Sequence, residues 1–427
     1  MSKELPKDWK CVKLREVCKE LESGKRPKGG VQGIISGIPS IGAEHLDFNG
    51  GFKFSKIKFV PKDFAEQMKK GVIQKDDIIV VKDGATTGKA SFVNNNFPFD
   101  FAVINEHVFI VRVSDDVLPR FAFYKIWSSK GNKEILEDFR GAAQGGISSG
   151  FIDKVTIPLP PKPTQQAIVS KIEELFSELD KGIEQLKAVQ QQLKSYRQSV
   201  LKWAFEGKLT NENVKEGELP KGWKLIRLGE LADKVFDGPF GSNLKSVDYV
   251  EDGIRIIRLE NIGVLTFKDE YKTFVSDEKY LSIQKHTVSS GDIIFSSFII
   301  GEIRVTILPK FIIKAINKAD CFCIRVSPKT IDNRYLAYFL STKNVYNQLV
   351  EEVHGATRPR INTTQLKSCL IPYCSIEEQN KIVQEIENRL SVADKMEESI
   401  TQSLQQAETL RQSILKKAFT GDRFKII

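Results

Sequence analysis

Cysteine, histidine and long apolar runs are all scarce in this chain. Six cysteines are spread over 427 residues, at positions 11, 18, 321, 323, 369 and 374. That is too sparse for a disulfide framework, so they read as reduced, partly buried thiols. Cys321-x-Cys323 and Cys369-x4-Cys374 lack zinc-ligand spacing, and His45, His107, His286 and His354 find no consistent partners, so no metal site is expected. No apolar run approaches the roughly 20 residues that a membrane span needs. The start, MSKELPKDWK, has no signal-like apolar stretch, and the expectation is a cytoplasmic protein without membrane attachment.

Catalytic signatures are missing too. The segment DGATTGKAS (83–91) looks like a phosphate loop, but Gly84-x3-Gly88-Lys89-Ala90 is one residue short and Ala90 offers no hydroxyl for a metal. The other copy of this segment sets Glu302 where Lys89 stands. A carboxylate nuclease would follow Asp77 with an acidic-x-Lys unit, yet position 80 is Val. Asp77 and Asp292 read instead as turn residues at a strand edge. An amino-methyltransferase would need an Asp/Asn-Pro-Pro-aromatic tetrapeptide, and Pro160-Pro161 sits in LPPKP. No Ser-His-acid set is marked out within either half. The chain is expected to hold no catalytic residue and no cofactor of its own.

What the chain has is charge and repetition. A net charge of +9 and a pI near 9.0 suit a polyanionic partner such as nucleic acid, through release of counterions from phosphates. Hydrophobic residues at 41%, charged at 28% and a mean hydropathy of −0.25 describe a soluble globular chain. Its length allows two or three domains.

The sequence contains itself twice. LPKDWKCVKLRE (5–16) returns as LPKGWKLIRLGE (219–230), an offset of 214. Close to that offset, Gly37-Ile38 is echoed by Gly253-Ile254, KDDIIVVKDGATTGK (75–89) by SGDIIFSSFIIGE (290–302), and AVIN (102–105) by KAIN (314–317). RGAAQGGI (140–147) matches HGATRPRI (354–361), and IPLP (157–160) matches IPYC (371–374). Residues 164–207 against 378–421 give 19 identities in 44 without a gap, including RQSVLKWAFEG against RQSILKKAFTG.

Each repeat has two parts. Residues 1–162 and 208–375 mix short β-like runs such as DIIVV, HVFIVRV and DIIFSSFII with Gly- and Asn-bearing turns, and read as α+β domains. Residues 163–207 and 376–427 begin after Pro-bearing stops, have few Gly or Pro residues, and read as one long helix each, the second with a short tail. In the first helix Ile172, Leu179, Leu186, Leu193 and Val200 recur every seven residues, with Ile168, Leu175, Val189, Tyr196 and Trp203 as companions. Ile386, Ile400 and Ile414 are the matching candidates in the second. This is a coiled-coil seam, and an antiparallel pair of helices, each about 60 Å long, would relate the two repeats by a pseudo-twofold axis. Two tandem α+β domains, each followed by a long helix, are therefore the expected fold.

Basic and small residues in loops are the candidates for DNA contact. In the first repeat these are Lys25, Arg26 and Lys28 in SGKRPKGG, with Thr86, Thr87 and Lys89 on another turn. In the second they are Lys245, Arg255 and Arg258, with Arg358 and Arg360 of RPR. Arg can take a guanine edge with two hydrogen bonds, so such loops suit base reading.

The repeated LP[KE]xW, [GD]-D-I-[IL], G-A-x-x-x-x-I, I-P with a nearby E/T-x-Q, and RQS[IV]LxxAFxG together resemble the specificity subunits of type I restriction-modification systems, over the whole chain. The resemblance implies that residues 1–162 and 208–375 are target-recognition domains, each reading one half of a split double-stranded DNA target. The helices would fix the gap and dock two modification subunits, which bring S-adenosylmethionine, while restriction subunits bring ATP and Mg. On the same resemblance Arg197-Phe205 and Arg411-Phe419 are shared scaffold, and the loops 23–36 and 236–252 differ because the half-sites differ. The alternative is a coiled-coil scaffold or antagonist that pairs through its helices without reading sequence.

Overall fold

The computed structural model describes residues 6–141, 145–211, 213–215, 217–350 and 360–420. The chain divides into two compact units, residues 1–187 with 401–427, and residues 188–400. Each unit joins one globular domain to the start of its own long helix and to the end of the other. The division thus falls within the helices, not at 162, 207 and 375, where the composition of the sequence changes.

In the first unit Ile78–Val81 is buried at every position, as a strand covered on both faces must be. It lies between Val108–Val113 and Ala90–Phe92, and Cys18–Ser23 completes an antiparallel four-stranded sheet. Alternation sends Ile78 and Val80 into a core with Leu14, Phe121 and Phe151, and Ile79 and Val81 into another with Ile41, Ile104 and Ile110. Beside this sheet is a three-stranded one of Lys58–Val60, Ile38–Ile41 and Val103–Ile104, the last two running parallel. Lys10–Lys13 pairs antiparallel with Thr156–Leu159, joining the two ends of the domain.

The second unit repeats this plan. Ile293–Ser296 lies between Cys321–Arg325 and Val305–Ile307, with Lys234–Phe236 outermost. The other sheet, ordered Tyr249–Val250, Phe274–Val275, Ile254–Ile257, Ala315–Asn317 and Thr287–Val288, again contains one parallel pair. Lys224–Arg227 pairs with Leu370–Tyr373.

The [GD]-D-I-I motif has a local cause. The residue before the buried strand turns into the left-handed region, at φ +68° for Asp76 and +87° for Gly291, which Gly, Asp and Asn adopt most readily. The next residue closes the turn: Asp77 accepts from Gln74 N at 2.8 Å, and Asp292 from Ser289 N at 2.8 Å. Each also receives two hydrogen bonds from an arginine on the neighbouring strand, Arg112 and Arg325 respectively. Both aspartates are almost wholly buried, so they are structural anchors.

The long helices run Lys162–Phe205 and Ile376–Ala418. Ile172, Leu193 and Val200 are buried, and Leu179 and Leu186 half-buried. Ile386, Ile400 and Ile414 are buried, with Ala393 and Ala407 at the intervening sevenfold positions also buried. Val189 and Trp203 depart from the seam reading, being 42% and 38% exposed. A straight helix carries a strict seven-residue row about 20° out of contact per heptad.

In the first unit Ile168, Ile172 and Phe176 share a core with Ile414, Leu415 and Phe419, and Arg411 pairs with Asp180. In the second, Val200, Ala204 and Phe205 share one with Ile382, Val383 and Ile386, and Arg197 reaches Asp394 at 2.6 Å and Glu397 at 2.8 Å. The shared RQS[IV]LxxAFxG ending thereby acquires a purpose. Its arginine pairs with the companion helix, and its phenylalanine packs on a domain, Phe205 on Tyr335 and Phe339, Phe419 on Phe121. Among the described residues no helix is long and apolar enough to cross a membrane.

Candidate nucleic-acid interface

Two glycines fix where the variable loops begin. Gly24 follows the strand Cys18–Ser23 and lies against the end of Val103–Ile104, where a Cβ would stand 2.0 Å from the Ile104 carbonyl oxygen. Gly238 follows Lys234–Phe236, where a Cβ would stand 2.1 Å from the Lys318 carbonyl carbon. Neither position admits a side chain without moving backbone. The loops 25–36 and 239–248 therefore leave equivalent points of the two domains.

In the first unit Lys25, Arg26 and Lys28 are exposed. Lys25 and Arg26 line a groove of about 120 Å3 together with Ser40, Lys58, Asn105 and His107. Arg26 is 3.7 Å from Glu106, and Lys58 2.5 Å from Glu44. His107 Nδ1 is 2.6 Å from Asp83. Thr87 closes its own turn by donating to the Gly84 carbonyl at 2.7 Å, and Thr86 is half-buried beside it.

Lys89 is turned inward. Its ammonium donates to the Leu46 carbonyl at 2.8 Å and lies 4.8 Å over the Phe48 ring, and burial lowers its pKa. Strand register also corrects its counterpart. Ala90 pairs with Val80 as Val305 pairs with Phe295, so Arg304, not Glu302, occupies the equivalent place. Arg304 likewise donates to a carbonyl of the neighbouring turn, that of Leu259. AVIN and KAIN are offset by one for the same reason, because Asn317 pairs with Ile257 as Ile104 pairs with Ile41. Lys318 is then the counterpart of Asn105.

In the second unit Lys245 is exposed on its loop. Arg258 is half-buried, paired with Glu260 at 2.7 Å, and its guanidinium lies over Tyr249, as does the Lys318 ammonium. Tyr249 and Lys318 escape a search for basic clusters, since strand pairing rather than sequence proximity unites them. Arg255 does not join this surface. It is 9% exposed and donates to Asp269 and to the Tyr271 carbonyl. Arg360 pairs with Asp320 and lies 5.8 Å from both the Phe240 and Phe298 rings. Burial pushes the adjacent Asp237 up to about 6, and the charge of Asp320 adds to this. Arg358 falls outside the described residues.

Each unit thus has exposed cations on loops anchored to a rigid sheet, an arrangement suited to phosphate contacts and to base-edge hydrogen bonds. Among the described residues no group of three or more His, Cys, Asp and Glu side chains is placed to hold a metal ion.

Comparison with known proteins agrees with the repeat. The type I restriction modification DNA specificity domain matches twice, at residues 6–188 and 220–406. The type I restriction enzyme EcoBI specificity subunit of Escherichia coli is 27% identical over 412 residues, spanning 92% of this chain and 84% of that protein. The MjaVIII specificity subunit of Methanocaldococcus jannaschii is 24% identical over 425 residues, spanning 98% and 93%. In fold, the chain is similar to the HsdS subunit from Thermoanaerobacter tengcongensis, with a TM-score of 0.60 at 20% identity over 98% of each chain. It is also similar to a chain solved in work on assembly and conformational transition of the type I R-M system, with a TM-score of 0.68 at 20% identity over 98% of this chain and 100% of that one. With both of its domains matched by the same family model, the chain belongs to the type I restriction modification DNA specificity family.

Proposed function

We propose that the chain is the sequence-reading subunit of a type I restriction-modification complex, in which each globular domain reads one half of a split DNA target. The observation that carries this is the duplication itself. One fold, matched twice, holds differently composed loops on equivalent anchors, so a common frame presents two different reading surfaces. The exposed cations Lys25, Arg26, Lys28, Lys245 and Arg360 supply contacts to phosphates and base edges. Lys89 and Arg255 hold the frame beneath them, and Thr86 and Thr87 shape a turn.

The two long helices pair antiparallel as a coiled coil that sets the gap between half-sites and docks two modification subunits. The start of each helix sharing a core with the end of the other supports this pairing. S-adenosylmethionine belongs to the modification subunits and ATP with Mg to restriction subunits, while this chain contributes specificity without catalysis.

The test is co-expression with a cognate modification subunit, followed by mapping of adenine methylation across a genome. Methylation confined to one split motif is expected, and exchanging residues 1–162 for the same domain of a relative should change one half of the motif only. A stable complex that methylates no defined motif would overturn this function.

A further inference from the structure

Arg26 and Phe240 occupy one position of the two repeats. Each stands two residues after the glycine that anchors its loop, Gly24 or Gly238, where a Cβ would strike the end of the neighbouring strand. The frame is shared, and the side chain it offers differs in kind: a guanidinium in the first domain, an apolar ring in the second.

Both side chains are presented outward and backed from below. The Arg26 side chain is 59% exposed, lies across Gly30, and is held loosely at 3.7 Å from Glu106. That separation exceeds a hydrogen bond, so its donors are open to a new acceptor. Phe240 is 50% exposed between Pro239 and Gly241, with the Gly241 φ of +57° turning the chain away after it. Its ring lies 5.8 Å from the Arg360 guanidinium, which is also 5.8 Å from the Phe298 ring and is held by its pairing with Asp320. An exposed phenylalanine seated on a fixed cation is pre-positioned for a contact that removes its outer face from water.

We propose that this shared position determines which base each domain reads: Arg26 takes the O6 and N7 edge of a guanine in one half-site, and Phe240 packs on the C5-methyl group of a thymine in the other. The inference rests on the DNA-reading function above. It explains how two copies of one fold come to read different half-sites, since a single substitution at a common position changes the chemistry presented.

The test uses the full chain in complex with its modification subunits, methylating duplexes in which every position of both half-sites is varied. Arg26→Ala and Arg26→Gln should lose roughly tenfold or more of the preference for one guanine, leaving the other half-site unchanged. In the wild type, 7-deazaguanine at that position should reproduce the loss by removing N7. Phe240→Ala should relax one thymine in the opposite half-site. Uracil in place of that thymine, which removes only the methyl group, should weaken the wild type and leave Phe240→Ala unaffected. The unchanged half-site in each variant reports that the complex is intact. A wild type with a clear split motif whose variants and base analogues leave every preference in place would overturn the inference while the DNA-reading function stands. So would loss of methylation on all DNA by both Arg26 variants. A wild type without any motif would overturn both.

Discussion

Arg255 and Lys28 carry the same charge in opposite settings, and this sets what their removal should do. Arg255 is buried, donates to Asp269 and to the Tyr271 carbonyl, and lies 5.6 Å over Phe274. Arg255→Ala should cost roughly 2–3 kcal/mol by removing a buried guanidinium with its hydrogen bonds and its packing on Phe274, seen in denaturant unfolding, with the methylated motif unchanged. Lys28 is exposed, and Lys28→Ala should leave stability within about 0.5 kcal/mol while weakening DNA binding across all sequences and lowering the salt slope by about one. A change of motif in the first variant, or of stability in the second, would reverse these assignments. Asp237 gives a pH-dependent counterpart. Burial raises it from 3.8 to about 6, so its neutral form is the one the fold favours. The stability it contributes is therefore full below the lower value and lost as pH rises through the upper one. Asp237→Asn keeps an acceptor for the Gly238 and Asp320 amides. Its melting temperature should match the wild type below about pH 4, exceed it increasingly between about pH 4 and 6, and keep a constant lead above that, and a difference that does not change between about pH 4 and 7 would contradict this.

At the scale of elements, a buried glutamine ties each long helix to its domain. Gln165 accepts from Leu118 N at 2.8 Å and donates to the Asp116 and Pro160 carbonyls, both at 3.0 Å. Gln379 accepts from Asp332 N and donates to the Cys374 carbonyl, each at 2.8 Å. Gln165→Ala should destabilise the first unit by roughly 2–4 kcal/mol in denaturant unfolding, and Gln165→Glu by a similar amount because a carboxylate offers no donor. Gln379 was visible in the sequence as the end of E-x-Q, whereas T-x-Q in the first repeat ends at Gln166, and Gln165 is matched to Gln379 only by the ungapped alignment of the helices. The purpose of both required partners almost fifty residues earlier, at Leu118 and Asp332. The long helices were legible because heptads and the lack of breakers act locally. Strand equivalences were less so. Gapped similarity paired Lys89 with Glu302, whereas the hydrogen-bonded register pairs it with Arg304. Arg255 resembled a reading residue for a related reason. A cation in the strand Ile254–Ile257 announces its type but not the carbonyls waiting across the turn. Exposure was thus readable where it follows from a Gly-rich loop, as at Lys25 and Arg26, and unreadable where tertiary partners decide it.

For the whole molecule, the proposed spacer role of the helices predicts effects in which distance and rotation separate. Seven residues inserted after Lys187 and seven more after Ile400 keep the heptad seam in register and lengthen each helix by about 10 Å. That matches roughly three base pairs at about 3.4 Å each. Three base pairs, however, turn the second half-site roughly 100° around the duplex, since a full turn takes about 10.5. A reader that engages one face of DNA would then have to twist it, and methylation of every gap length should slow. Twenty-one residues at both sites add about 32 Å, close to the 34–36 Å of one DNA turn, and return the half-sites to the same face. The longer insertion should therefore methylate the original two half-sites, separated by about ten more base pairs, faster than the shorter one methylates any spacing. Insertion into one helix alone should abolish methylation, because helices of unequal length cannot keep both shared cores, that of Ile172 with Ile414 and that of Val200 with Ile386. If instead the twenty-one-residue protein keeps the original gap, the helices do not set the spacing, and the gap is fixed by the partner subunits.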